Sequence, residues 1–249
     1  MGQDASSGRT PIATFYRGSL AAGAVAMAIF FGLPAAGLIA GLVKYLKNGS
    51  IELLAGVAFL SFFSVLFGLT GLMGIRVRLR VFEDGIEGRG MFRRARFIAF
   101  EAATAMTWSV YEGRMQHTST GRFVAARVRG VSGETGFTVP LSRDLEILST
   151  VRDRLSEAIG IRGLEAINRG EPFLWGGVRL AVDGIVLANG ETVAYSTPFR
   201  ETFEVGGKFV LSRATTDEQL LTVRMQSTNF YPGYWILRNC AVSVERVSG

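Results

Sequence analysis

Arg76-Val-Arg-Leu-Arg-Val-Phe-Glu-Asp-Gly-Ile86 is the stretch at which this chain changes character. Val77, Leu79 and Val81 alternate with Arg76, Arg78 and Arg80. Side chains of a strand point to opposite faces in turn, so this is a strand with one apolar and one charged side. Asp84-Gly85 then marks a tight turn. Further on, Leu180-Ala-Val-Asp-Gly-Ile185 restates Val81-Phe-Glu-Asp-Gly-Ile86, and Val193-Ala-Tyr-Ser196 restates Ile98-Ala-Phe-Glu101 after a shorter gap. A strand-and-turn unit that recurs in this way predicts two similar β-rich modules.

Working outward, strand-like segments follow at 94–100, 105–111, 122–128 and 136–141, with turn residues between them. After Ser142 the period becomes helical: Leu145, Leu148, Val151, Leu155 and Ile159 share one face. Several strands closed by one amphipathic helix is the plan of a small β-barrel or sandwich. In the second half, 208–211 and 219–225 read as strands, and Tyr234, Leu237, Ala241 and Val244 recur at helical spacing. The first module is placed at 76–160, a linker at 161–170 and the second module at 171–249.

Before Arg76 the composition differs. Residues 18–43 and 53–75 are runs without a charge, bracketed by Arg17, Lys44, Glu52 and Arg76. A spanning helix needs about 20 apolar residues. Together with a mean hydropathy of +0.28, the runs predict a transmembrane hairpin at 18–75, preceded by an arm at 1–17. Small residues let helices approach closely in lipid. Ala28, Gly32, Ala36, Gly37 and Gly41 in the first run, with Ser61, Ser64, Gly68 and Gly71 in the second, are the expected packing faces. Lys and Arg near the run ends favour both termini and the β-rich region on the cytoplasmic side. Met1-Gly2-Gln3-Asp4-Ala5-Ser6 has the form of a myristoylation signal, which requires a eukaryotic enzyme.

The 249 residues carry a formal net charge of +6, from 24 Arg and 3 Lys against 21 acidic residues. Arginine in place of lysine, with abundant Ala and Gly, points to a GC-rich, bacterial coding sequence and an inner-membrane setting. From Arg76 onward the excess is only +4, 23 basic against 19 acidic residues, so nucleic acid is not the expected partner. Arg89, Arg93, Arg94 and Arg96 cluster on one predicted hairpin. Their guanidinium forks suit phosphate oxygens, which makes them candidate contacts to an anionic lipid bilayer.

One cysteine, Cys240, and one histidine, His117, are too few for a usual zinc site or an internal disulfide. Gly88-Arg-Gly90 and the glycines of 130–136 lack the lysine and hydroxyl of a phosphate loop. No cofactor, metal or catalytic residue is assigned. Glu101, Glu112 and His117 are the nearby acid–base groups, with nothing in the spacing to bring them together. Trp175, Tyr231, Tyr234 and Trp235 are the aromatics that could line a binding surface.

With Asp-Gly-Ile in both modules, the extended segments that end at Phe100-Glu101 and Tyr195-Ser196, and the lead Gly170-Glu-Pro-Phe-Leu-Trp-Gly-Gly177, the chain from Arg76 onward resembles a family of membrane-anchored proteins with tandem pleckstrin-homology-like (PH-like) domains. Relatives carry Trp-x-Asp/Glu-Ile where this chain has Phe100-Glu101 and Tyr195-Ser196. The resemblance implies PH-like folds and no catalytic residues. The expected function is a non-enzymatic, membrane-tethered scaffold that binds a protein partner or the membrane surface. A structural subunit of a larger membrane complex, or an enzyme with a dispersed site, are the alternatives.

Overall fold

The computed structural model describes residues 9–16, 78–89, 95–115, 118–140, 145–204, 206–242 and 244–247, with isolated positions between 29 and 69. The first unit opens with β1 (Ala13–Tyr16), β2 (Arg78–Val81), β3 (Gly85–Arg89) and β4 (Arg96–Ala99), an antiparallel sheet in sequence order. A 3-10 turn at Phe100–Ala102 leads to β5 (Ala103–Met115), β6 (Thr118–Gly130) and β7 (Gly133–Pro140), a second sheet, and then α1 (Leu145–Asn168). Alternation does what was expected of it: Leu79 and Val81 are buried, and Ile86 and Ile98 join them across the ladder. Leu148, Val151, Leu155 and Ile159 of α1 close this core, whereas Leu145 is exposed.

The second unit repeats the order. β8 (Phe173–Trp175), β9 (Val178–Ala181), β10 (Gly184–Val186) and β11 (Thr192–Val193) form one sheet. β12 (Phe199–Glu204), β13 (Lys208–Arg213) and β14 (Gln219–Arg224) form the other, followed by α2 (Phe230–Cys240). The chain then returns as β15 (Val244–Val247) along the edge of β12, where the pairing is parallel. Trp175 is fully buried at the centre, its indole N–H donating to the Phe230 carbonyl at 2.9 Å.

Three features depart from the sequence reading. The arm at 1–17 contributes β1, whose Phe15 is buried opposite Leu79. The stretch 161–170 is no loose linker, because α1 runs on to Asn168. The terminal helix is α2, starting earlier than the apolar spacing suggested, and 244–247 is a strand.

The transmembrane hairpin is corrected. Among the described residues no helix is long and apolar enough to cross a membrane. α2 has 11 residues, about half of what a span needs. α1 has 24 but carries Arg152, Asp153, Arg154, Glu157, Arg162 and Glu165 along its length. What is described is four largely antiparallel sheets and these two continuous helices. The runs 18–43 and 53–75 lie outside the described residues, apart from isolated helical positions such as Gly32, Ala36, Phe59, Phe62 and Leu69. An uncharged run is a necessary condition for a span; an unbroken apolar helix is the other, and none is among the described residues. The two-span membrane protein of the bacterial inner membrane, with cytoplasmic termini, is corrected with it.

Candidate functional site

Two glycines of α1 build the site. A Cβ on Gly160 would collide with the Trp235 ring, and one on Gly163 would stand 2.7 Å from both Ile236 and Phe173. Without side chains there, α2 settles against α1, with Ile236 and Leu237 fully buried. Residues of both helices line an open groove of about 620 Å³.

One wall is α1, with Thr150, Arg152, Asp153, Ser156 and Glu157; the other is α2, with Tyr231, Tyr234, Trp235 and Arg238, and Phe203 and Met225 lie alongside. Arg152 lies over the Tyr231 ring, 5.0 Å from its centroid, and reaches Asp153 at 2.7 Å. Burial pushes the Tyr231 phenol above its ordinary value, against the opposing pull of Arg152. Tyr234 donates to Glu201 at 3.0 Å, and its ring meets Phe203 edge-on at 5.9 Å. Arg238 donates to the Val244 carbonyl at 3.2 Å. Tyr231, Tyr234 and Trp235 line the groove and are each half-buried, which suits reception of apolar and planar groups.

A smaller cavity of about 430 Å³ lies on another side of α1, against Phe100 and Glu101. Its arginines serve the fold. Arg154 donates to the Glu83 carbonyl at 2.6 Å and Arg162 to the Ala103 carbonyl at 3.1 Å.

Of the aromatics singled out in the sequence, Tyr231, Tyr234 and Trp235 meet in the groove, while Trp175 is core. The arginine cluster is not assembled. Arg89 ends β3 opposite Arg78, and Arg96 starts β4 with its guanidinium against Gly133; Arg93 and Arg94 lie outside the described residues. So do His117 and, among the packing candidates, Ala28, Gly37, Gly41, Ser61, Ser64, Gly68 and Gly71. Neither Arg152 nor Arg238 was a site candidate in the sequence. Arg152 meets Tyr231 only after two segments about eighty residues apart have been packed together, whereas Arg238 shares α2 with the aromatics. Among the described residues no group of His, Cys, Asp and Glu is placed to hold a metal ion. In comparison with known proteins, no family model and no curated protein matches this chain.

Proposed function

We propose that this chain is a non-enzymatic interaction protein in which two PH-like modules are fused through their helices and jointly receive a segment of a protein partner. The carrying observation is that the groove has walls from both units: α1 from the first, α2 and β12 from the second. Four strands, three strands and a helix, given twice over, support the PH-like reading of each unit. Arginine, tyrosine and tryptophan are the residues on which protein–protein binding energy concentrates, and they dominate this groove. Fold alone does not assign function, so the weight rests on the groove.

Arg238 is exposed on the groove rim, and Arg238→Glu reverses the local charge without emptying a core position. The tagged full-length protein and this variant are to be compared by quantitative capture from native cells, with thermal melts alongside. The reading expects a specific protein retained by the wild type and lost by a variant of unchanged stability. Identical captures by both would refute it.

A further inference from the structure

β15 is held along one side. It pairs in parallel with β12, Val244 opposite Phe199 and Val247 opposite Thr202, and among the described residues it pairs with no other strand. A parallel neighbour needs a long crossover, here by way of β13, β14 and α2. Only four residues make the ladder, and they are reached through Val242, which is 79% exposed. The edge that they cover belongs to the three-stranded sheet of β12, β13 and β14. Such an edge is a template for any extended segment.

Both ends of this seat adjoin the groove. At its start the Val244 carbonyl accepts from Arg238 at 3.2 Å, and Arg238 lines the groove. At its finish β12 runs on from Thr202 to Phe203, which lines the groove too. Because the pairing is parallel, a longer strand in the place of β15 would run toward Phe203. One side chain anchors the seat from within: Val244 is half-buried against the core of the second unit.

We infer that the β12 edge is a strand-acceptor site, that β15 fills it in cis, and that an extended segment of a protein partner displaces β15 and adds in parallel to β12. The inference rests on the groove reading, since groove contacts are what a four-residue strand lacks and a longer partner segment gains. In strand addition the main-chain hydrogen bonds supply affinity and the side-chain pockets supply selectivity. The β12 backbone provides the first. For the second, the segment carries an apolar residue in the place of Val244, sets a carbonyl against Arg238, and continues with apolar or planar groups along Phe203.

The test uses full-length chains and, as probe, a labelled synthetic peptide of residues 242–249. Glu245→Pro with Arg246→Pro removes the ladder N–H of whichever residue faces β12 and unseats β15. Thr202→Cys with Val247→Cys, in a Cys240→Ser background, joins two positions opposite in register, so that oxidation locks β15 in place. The proline variant is expected to bind the peptide. The wild type should bind about a hundredfold more weakly, because its own strand competes at high effective concentration, and the locked chain should not bind. Adding Arg238→Ala to the proline variant should weaken binding about tenfold. Without any proline, the slowest amide of β15 should exchange at least about tenfold faster than the slowest of β13, through local opening. No binding by a cooperatively folded proline variant, equal binding by all chains, or equal protection of β15 and β13 would each overturn the inference. Capture of the same cellular protein by the locked and the reduced chain would overturn it too, while leaving the groove reading intact.

Discussion

Asn229 and Met106 hold each other twice: the Met106 N–H donates to Asn229 Oδ1 at 3.0 Å, and the Asn229 N–H donates to the Met106 carbonyl at 2.7 Å. Asn229 stands just before α2 with φ 60°, a left-handed conformation that asparagine tolerates better than most residues. Through it the second unit closes part of the sheet edge of the first. Asn229→Gly keeps the backbone shape and removes only the acceptor, which should cost about 1–2 kcal/mol. Asn229→Ala should cost about 1 kcal/mol more, from the strained conformation. Urea unfolding midpoints give both values, and a fully stable Asn229→Gly would show that the side-chain bond contributes nothing.

Gly160 offers a test in which two effects have opposite signs. Alanine raises helix propensity by about 1 kcal/mol over glycine, so Gly160→Ala in a free helix would stabilise. Here its Cβ meets the Trp235 ring, and overpacking of this kind costs about 1–3 kcal/mol. Net destabilisation is expected, and Trp235→Ala in the same chain should recover part of it. Additivity of the two changes in a double-mutant cycle would mean that they do not meet.

Tyr16 pairs with Arg78, so the ends of the connection 17–77 adjoin the same end of the β1–β2 pair. Replacing 17–77 by Asn-Gly makes Tyr16-Asn-Gly-Arg78, a two-residue connection suited to antiparallel strands. This shortened chain should keep the near-ultraviolet dichroism of the buried Trp108 and Trp175 and unfold cooperatively. Phe15→Ala, in contrast, should cost about 3–5 kcal/mol, although it lies far from β2 in sequence. A shortened chain without fixed aromatic dichroism would count against β1 as part of this sheet.

Alkaline stability should follow Tyr195. Burial, with a smaller contribution from Cys240, raises its phenol well above the ordinary value of 10.0. With a raised pKa the folded state holds a proton that the unfolded state has released. The stabilisation is therefore complete below about pH 10 and declines as pH rises toward the folded value. Tyr195→Phe cannot ionise and should flatten this decline, read as the loss of urea midpoint between pH 9 and pH 11. Parallel profiles for the two proteins would remove Tyr195 from the account.

Local pattern carried a great deal in this chain. The alternation of Leu79 and Val81, the two Asp-Gly turns and the helical spacing from Leu148 to Ile159 each depend on neighbours within a few residues, and each lies where its periodicity implied. The repeat was legible for the same reason, since both units need the same turn chemistry at the same point. β1, β12 and β15 were not legible. A four-residue strand at 13–16 has no identity until Arg78–Val81 comes beside it, and β15 exists because β12 offers it an edge. The apolar runs predicted a membrane hairpin that no helix among the described residues supplies, because an uncharged composition does not by itself specify a spanning helix.

The sequence by itself determined the two β-rich units and the amphipathic helix that closes the first, since alternation, turn residues and helical period act at short range. Only the tertiary structure decided that α1 continues through the expected linker, that glycines at 160 and 163 bring α2 against it, and that Arg152 ends over the Tyr231 ring. Those relationships depend on where distant segments meet, and the free energy that brings them together comes from burying Trp175, Ile236 and Leu237 rather than from any local signal.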